Sequence, residues 1–331
     1  MDHVRLGATG LKVSKLCLGT MTFGLQCDEP TSIAIMDRAA EGGITFFDTA
    51  DAYPLGGEIE TRGRTEEIIG RWLKGKRDDY ILATKCVIPM GPLPFQAGAN
   101  RRHIINAVEA SLRRLGTDYI DLYQMHQYDP ATPVDETMEA LNALVFQGKV
   151  RYIGCSNYLA YQVARAVGRA ETLGLARFVS VQPRYNLLFR EIERELVPYC
   201  MEEGLGIIPY NPIAGGMLSG KHDRTKAPPK GTRFGFEGFA GAMYRGRYWQ
   251  DQVFDTVDQL AAVAREASLE LPTLALAWTL AQAGITSPIV GASRASQLDA
   301  TLKAVETTLE PDLLKRLDEL TREFRRGDSL R

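Results

Sequence analysis

Short apolar runs that end in polar residues alternate with segments of helical periodicity along almost the whole chain. Runs of bulky and β-branched residues predict strands, whereas apolar residues spaced three and four apart predict amphipathic helices. Eight runs have strand character, and they cover residues 16–20, 44–50, 80–84, 119–123, 150–154, 178–181, 206–209 and 288–290. Before them, two short alternating runs flank a glycine-containing turn at 7–10, which predicts an N-terminal β-hairpin.

Helical patterns separate nearly all of these strands. The predicted helices cover 31–41, 65–74, 104–115, 134–147, a segment ending near 173, 191–203, 249–267, 272–283 and two segments from 297 onward. Thr31 is the expected N-cap of the first helix. This alternation predicts an α/β fold, the (β/α)8 TIM barrel, with the hairpin at its start and extra helices at its end. A doubly wound sheet is the alternative, but it would want a GxGxxG turn after an early strand, and the sequence has none.

The chain of 331 residues is long enough for one large α/β domain or for two ordinary ones. Because no linker or shift of composition divides the alternating pattern, we predict a single domain over 1–331. A Gly-, Pro- and Arg-rich insertion at about 215–247 follows the seventh strand.

Composition narrows the class of protein. The hydrophobic fraction of 45% and charged fraction of 24% are ordinary for a globular chain, and the net charge of −2 argues against a nucleic-acid surface. Scattered Lys and Arg argue against a polybasic membrane patch, and no apolar run approaches the length of a membrane span. The five cysteines form no CxxC pair, which is typical of reduced thiols. We therefore expect a soluble, cytoplasmic protein.

Polar residues stand at the end of each predicted strand. Asp48 ends the second predicted strand and Tyr53 follows it, although such a pair alone is more simply a capping acid and a packing phenol. In a barrel, however, all strand ends converge at one catalytic face. The strand-end residues are Thr20, Asp48, Lys85, His126, Asn157, Gln182, Tyr210 and Ser293.

Four of these groups suit proton transfer. A phenol titrates near pH 10 in water, and a neighbouring ammonium such as Lys85 lowers the pKa of a phenol such as Tyr53. A carboxylate, Asp48, keeps that ammonium charged and oriented, while His126 can orient a polar substrate atom or relay a proton. One His, one Asp and no Cys pair are too few ligands for a metal site.

The motifs resemble the aldo-keto reductase superfamily over nearly the whole chain, most closely the bacterial general reductases and the branch of the potassium-channel β-subunits. The motifs are GTMTFG (19–24), FDTADAY (47–53), GRTEE (63–67), ATK (83–85), DLYQMH (121–126), GCSN (154–157) and VQPRYN (181–186). The resemblance implies that Tyr53 is the general acid and base, that Asp48 and Lys85 tune it, and that His126 positions a carbonyl oxygen. It implies reversible hydride transfer between a nicotinamide and an aldehyde or ketone.

The resemblance also implies a dinucleotide site. Ser156, Asn157 and Gln182 correspond to the partners of the nicotinamide carboxamide, and Tyr210 corresponds to the aromatic residue that stacks on the ring. Lys221, Thr232 and Arg233 correspond to residues that bind an adenosine 2′-phosphate, so NADPH is expected over NADH. Further expected cofactor contacts are Thr20, Met21, Asp48, Asn211, Pro212, Gly215, Gly216, Leu218, Gly220, Gly291, Ser293, Arg294 and Gln297.

Two details of the phosphate end depart from known motifs. GGMLSGK (215–221) matches the start of a P-loop, but His222 stands where the magnesium-binding Ser or Thr is required, so nucleotide hydrolysis is not expected. A glycine-rich backbone with a lysine still suits a pyrophosphate. After Gln297, Ala300 and Thr301 occupy the positions where relatives carry Glu-Asn, an adenine-binding pair.

The substrate pocket is predicted from aromatic residues in loops. Phe23, Phe95, Tyr128 and Phe234 are the candidates, with Phe236, Phe239 and Tyr244 beside them, and together they would favour an apolar carbonyl substrate. The resemblance leaves a second function open, that of a cofactor-sensing regulatory subunit with weak or vestigial activity. It leaves self-association open as well. No nucleic-acid or membrane partner is expected.

Overall fold

The computed structural model describes residues 1–326, and it is built on an eight-stranded sheet with the order β10-β3-β4-β5-β6-β7-β8-β9. Every pair of neighbouring strands in that sheet is parallel. The sheet strands are β3 (Cys17–Gly19), β4 (Phe46–Asp48), β5 (Ile81–Cys86), β6 (Ile120–Met125), β7 (Val150–Ser156), β8 (Ser180–Gln182), β9 (Gly206–Ile207) and β10 (Ile289–Val290). All eight predicted strands are therefore present.

Helices follow most of these strands, which is what parallel neighbours require of their connections. The helices are α1 (Glu29–Glu41), α2 (Arg64–Leu73), α3 (Arg101–Leu115), α4 (Val134–Phe146), α5 (Ala160–Leu173), α6 (Leu196–Glu203), α7 (Gly238–Tyr248), α8 (Asp251–Glu266), α9 (Leu271–Ala281), α10 (Leu298–Glu306) and α11 (Pro311–Leu320). None of the helices within 1–326 is long and apolar enough to cross a membrane.

The sheet is strongly curled. Isolated parallel bridges join Ile207 to Ile285 and Tyr210 to Ile289, and the amide of Ile289 donates to the carbonyl of Pro209 at 2.8 Å. These contacts bring the β9 edge of the sheet against the β10 edge. Because the strands run parallel, their carboxyl ends lie at one end of the curled sheet and their amino ends at the other.

The predicted hairpin covers the amino ends of the strands. It consists of β1 (His3–Arg5) and β2 (Lys12–Ser14), which pair antiparallel. Leu6 and Val13 are fully buried with Phe46 and Leu122, which belong to the smaller of two apolar clusters. The larger cluster packs the other side of the strands against the helices. With the amino ends covered, the opposite end of the sheet is the one left for a site.

Two local predictions need correction. Helix α1 begins at Glu29 with Asp28 as its N-cap, because the Asp28 side chain accepts from the backbone amide of Thr31 at 2.9 Å. Thr31 is thus inside the first turn and is not the cap. The insertion at about 215–247, for which no helix was predicted, contains α7 (Gly238–Tyr248), whose three glycines give it little helical signal.

Candidate active site

A cavity of 1510 Å³ opens at the carboxyl ends of the strands. Single small-molecule sites usually measure about 300–1,000 Å³, so this cavity has room for a large cofactor together with a substrate. Many of the residues predicted from the sequence line it: Thr20, Met21, Asp48, Tyr53, His126, Ser156, Asn157, Gln182, Tyr210, Asn211, Pro212, Gly215, Gly216, Lys221, Thr232, Arg233, Gly291, Ser293, Arg294 and Gln297.

A buried ion pair lies directly under the cavity floor. Lys85 on β5 is fully buried, and its Nζ donates to Asp48 Oδ1 at 2.5 Å and to the backbone carbonyl of Thr49 at 2.7 Å. Burial alone lowers the pKa of Lys85, but Asp48 and Tyr53 raise it, and the net pKa lies above its ordinary value. Lys85 is therefore a charged ammonium that the fold holds in one position.

Tyr53 and His126 lie on the cavity side of that pair. The Lys85 Nζ is 5.2 Å from the centroid of the Tyr53 ring, and the rings of Tyr53 and His126 meet edge to face with centroids 5.7 Å apart. Burial raises the pKa of Tyr53, and Lys85 lowers it only in part. The expected effect of Lys85 has the predicted sign, but desolvation outweighs it, so the phenol is protonated at neutral pH.

The imidazole of His126 is uncharged at neutral pH. Burial, followed by the charge of Lys85, lowers the pKa of His126 to about 3. A neutral imidazole keeps one N–H donor and one acceptor nitrogen. The Nδ1 atom of His126 is buried and has no hydrogen-bond partner within residues 1–326. His126 is thus equipped to hydrogen-bond a polar group in the cavity without carrying a charge.

Amide side chains connect the ion pair to the far wall of the cavity. Asp48 Oδ2 accepts from Gln182 Nε2 at 2.8 Å and from Gln124 Nε2 at 3.0 Å. The hydroxyl of Ser156 donates to the backbone carbonyl of Gln182 at 2.8 Å, and Asn157 Nδ2 donates to that hydroxyl at 3.0 Å. These bonds hold the predicted carboxamide partners in one network with Asp48.

Tyr210 completes this network. Its hydroxyl donates to Asn157 Oδ1 at 2.8 Å, while Asn157 Nδ2 also donates to the backbone carbonyl of His126 at 2.9 Å. Asn157 and Asn211 both have a positive φ, 58° and 59°, a region that asparagine tolerates better than most residues. The tight turns at the ends of β7 and β9 therefore fix where Asn157 and Tyr210 stand.

The insertion forms the opposite side of the cavity. Gly215 and Gly216 have φ values of 69° and 105°, which suit glycine and let the backbone line the cavity without side chains. Arg233 Nη1 donates to Asn211 Oδ1 at 3.0 Å, and Gln26 Nε2 donates to the carbonyl of Gly231 at 2.6 Å. The segment around Gly231 thus connects to the loop after β3 across the cavity.

These groups fit a nicotinamide dinucleotide phosphate by their chemistry. Besides His126 Nδ1, the Nδ2 atom of Asn211 is buried and lacks a partner in the described part of the chain, so a donor is left over for a ligand. Lys221 and Arg294 are exposed cations on the cavity wall, which suits phosphate groups. An amide network, a flat aromatic, a glycine backbone and cations thus follow one another along one cavity.

The structure does not bring the four predicted pocket aromatics to the cavity. Phe23 and Phe234 are fully buried in the main core, and Phe95 lies in an exposed turn beneath Arg102, whose guanidinium is 4.1 Å from its ring centroid. Tyr128 packs edge to face on Tyr158, with ring centroids 5.3 Å apart. Packing of the loops accounts for all four. Phe239 and Tyr244 do line the cavity, whereas Phe236 does not.

Two expected cofactor residues and one catalytic residue also lie off the cavity surface. Leu218 is fully buried in the main core, and Gly220 ends the short helix that precedes Lys221. Lys85 lies behind Asp48 and so acts only through its neighbours. Thr232 reaches the cavity, but its hydroxyl donates to the Pro229 carbonyl at 2.7 Å within its own turn.

Sequence reasoning missed several residues of this site. Gln124 was inside a quoted motif but had no role, and the signal that could have found it is an amide in a strand that is otherwise apolar near its end. Met243 and Arg247 also line the cavity from α7, which was not predicted as a helix. Because no helix was predicted there, Met243 and Arg247 could not be assigned to one helical face.

Comparisons with known proteins agree with this geometry. The aldo/keto reductase family matches residues 15–322. The chain is 40% identical over 328 residues to the uncharacterized oxidoreductase YrpG of Bacillus subtilis, covering 97% of this chain and 96% of that one. It is 35% identical to a probable voltage-gated potassium channel subunit beta of Arabidopsis thaliana, covering 97% and 96%. It is 34% identical to the versiconal hemiacetal acetate reductase of Aspergillus parasiticus, covering 96% of each chain. By sequence match over nearly its full length, the chain belongs to the aldo/keto reductase family.

Proposed function

We propose that this protein is an oxidoreductase that reduces an aldehyde or ketone to an alcohol with NADPH, reversibly. The observation that carries the proposal is the buried Lys85–Asp48 pair beneath Tyr53 and His126 at the floor of the cavity. The proposal includes a (β/α)8 barrel as the form of the curled sheet, and one domain over 1–331. The meeting of the β9 and β10 edges supports the barrel.

The dinucleotide, when bound, supplies a hydride to the carbonyl carbon. His126 donates a hydrogen bond to the carbonyl oxygen, and its neutral state avoids a charge repulsion with Lys85. Tyr53 gives its phenolic proton to the same oxygen as negative charge develops there. Lys85, kept charged by Asp48, stabilises the phenolate that is left. Ser156, Asn157 and Gln182 orient the nicotinamide carboxamide, and Tyr210 covers one face of the ring.

The preference for NADPH rests on the cations at the other end of the cavity. Arg233 lies against Asn211 and Gly291, and Lys221 and Arg294 are exposed nearby on the lining. The 2′-phosphate of NADPH needs such cationic partners, whereas NADH carries no 2′-phosphate for these cations to bind. The expected adenine-binding Glu-Asn pair is replaced by Ala300 and Thr301, both on the cavity wall.

The test is turnover of 4-nitrobenzaldehyde with NADPH and with NADH, followed by consumption of the reduced nicotinamide. We expect Tyr53→Phe to lower kcat at least about 100-fold, since general acid catalysis contributes about 10²–10⁴-fold. Tyr161→Phe is the matched control, because Tyr161 is 62% exposed and does not line the cavity. If Tyr53→Phe retained full activity, the proposed mechanism would be wrong.

The alternative is a cofactor-sensing subunit, which the similarity to the probable channel subunit of Arabidopsis thaliana favours. Tight NADPH binding without turnover across a panel of aldehydes and ketones would support that role. The complete set of Asp48, Tyr53, Lys85 and His126 around one cavity favours the enzyme.

A further inference from the structure

Arg247 is a cavity-lining cation that the proposed chemistry does not use. Helix α7 lines the cavity with Ala240, Met243, Tyr244 and Arg247, which recur at three- and four-residue spacing and so form one helical face. The guanidinium of Arg247 makes no hydrogen bond or ion pair with any residue among 1–326. By contrast, Arg245 on the other side of the helix donates to the carbonyl of Phe234 at 2.7 Å.

A second arginine without an anion lies beside it. Arg184, in the loop after β8, packs its guanidinium 3.4 Å from the centroid of Phe189 and 6.0 Å from that of Tyr248. It too forms no hydrogen bond or ion pair through its side chain within the described residues. Burial lowers the pKa of Arg184 and so does the charge of Arg247, whereas Tyr248, Tyr210 and Glu191 oppose that shift. Although Glu191 acts on Arg184 from a distance, neither arginine forms an ion pair with a carboxylate in the described residues, so the two positive charges favour binding of an anion.

The two arginines lie near Tyr210. The backbone of Arg184 forms a parallel bridge with Tyr210, the aromatic that donates to Asn157. Both guanidinium groups act on the pKa of Tyr210, which burial raises and they lower. Arg184 therefore lies beside Tyr210, and Arg247 lines the same cavity as Tyr210.

Among the lining cations that are not assigned to the phosphate end, Arg247 is the one without a partner in the described residues. Arg62 lines the mouth but donates to the carbonyl of Pro89. Glu58 and Glu237 are exposed lining residues that form no ion pair with Arg247 in the described structure. The apolar Met243 lies one helical turn before Arg247 on α7, and Phe239, which is 82% exposed, lines the cavity from the start of the same helix. This part of the cavity therefore combines one cationic point with an apolar surface.

We propose that Arg247, supported by Arg184, binds a carboxylate on the substrate, so that the preferred substrates are aldehydes or ketones with an apolar body and a carboxylate. The proposal rests on the proposed reductase function and adds the substrate class to it. The planar fork of a guanidinium matches the two oxygens of a carboxylate, and the apolar neighbours suit an aromatic or aliphatic body. Arg184 adds positive potential near Arg247 and is not itself on the cavity surface.

Two substrates of the same shape and different charge test this proposal: 4-carboxybenzaldehyde and 4-nitrobenzaldehyde. We expect Arg247→Gln to lower kcat/KM for the carboxylate about ten-fold or more, and for the nitro compound less than about two-fold. Arg247→Lys should recover part of the loss, because the charge returns without the fork. Arg184→Gln should cause a smaller loss that is again confined to the carboxylate.

Arg265→Gln is the control for net charge, since Arg265 is exposed on α8 and lies outside the cavity. Arg265→Gln should leave kcat/KM unchanged for both aldehydes. The Kd of NADPH, measured by fluorescence, should not change in Arg247→Gln. A ten-fold weaker Kd would overturn the proposal and assign Arg247 to the cofactor, and equal losses for both aldehydes would overturn it as well. If neither aldehyde nor any other carbonyl is reduced by the unaltered protein, it is the proposed function that fails.

Discussion

Replacing Lys85 by Met removes the one ammonium in the buried ion pair while keeping an unbranched side chain of similar length. The variant loses the donor to Asp48 Oδ1 at 2.5 Å and the donor to the Thr49 carbonyl at 2.7 Å. Gln124 and Gln182 still donate to Asp48 Oδ2, so the carboxylate keeps two of its three donors. The change therefore isolates a buried charge instead of removing the whole network.

The cost follows from these lost contacts. A buried neutral acceptor left without a donor costs about 1–3 kcal/mol, and a charged one costs more. With both acceptors left unpaired, Lys85→Met should lose about 3–5 kcal/mol in the free energy of unfolding near pH 8. This is the usual range for removing one partner of a buried ion pair. Because the pKa of Lys85 is raised, its stabilisation is present below the unfolded value of about 10.4 and is lost only at higher pH. The unaltered pair should thus contribute fully from pH 6 to pH 9.

Urea unfolding at pH 8 measures the loss of stability, and turnover of 4-nitrobenzaldehyde measures the loss of activity. Activity should fall about 100-fold or more, because the phenolate of Tyr53 loses its cation. Arg77→Met is the matched control, since Arg77 Nη2 contacts Asp121 at 2.6 Å with both side chains largely buried, at the amino end of β5. The control should lose stability and keep its kcat. A Lys85→Met variant that lost less than about 1 kcal/mol, or kept its kcat, would refute the reasoning.

Three further predictions concern pH and the cofactor. Carbonyl reduction should stay constant from pH 6 to pH 9, without an inflection near 6.5, because the pKa of His126 is about 3 and that of Tyr53 is raised; a pH–rate titration checks it, and an inflection near 6.5 would contradict it. Burial and Glu66 raise the pKa of Asp51, so stability should fall as pH rises above about 4, by up to about 1.4 kcal/mol per unit, and Asp51→Asn should flatten that slope in urea titrations. Arg233→Ala should weaken NADPH about 10- to 100-fold and NADH little, measured as Kd; equal losses would exclude a 2′-phosphate contact.

The eight strands and most helices could be predicted because the alternation of apolar runs with helical periods is a local property of the sequence. The carboxyl-end residues Asp48, Lys85 and His126 could also be predicted, since parallel strands end at one edge of a sheet. The helix α7 (Gly238–Tyr248) could not, because its glycines oppose helix formation in isolation and packing in the tertiary structure overrides that preference. Its cavity face, with Arg247, was lost for the same reason.

The four candidate loop aromatics were predicted to line the substrate pocket, and the structure places them elsewhere. Composition alone cannot separate an aromatic that packs a loop from one that faces a cavity, and Phe23 and Phe234 turned out to be core residues. The pKa of Tyr53 is a second example. The sequence supplied the cation that lowers it, but how much water is removed from the phenol depends on every neighbour that covers it.

The sequence by itself determined the order of strands, the family and the kinds of groups at the strand ends, because these depend on residue type and spacing along the chain. Only the tertiary structure decided that Gln124 joins Gln182 on Asp48, that Tyr210 is fixed by Asn157, and that Arg184 bridges to that tyrosine while Arg247 lines the same cavity. The physical reason is that hydrogen bonds, desolvation and charge pairs depend on distances between residues far apart in sequence, and those distances exist only once the sheet has curled and the insertion has packed across its open end.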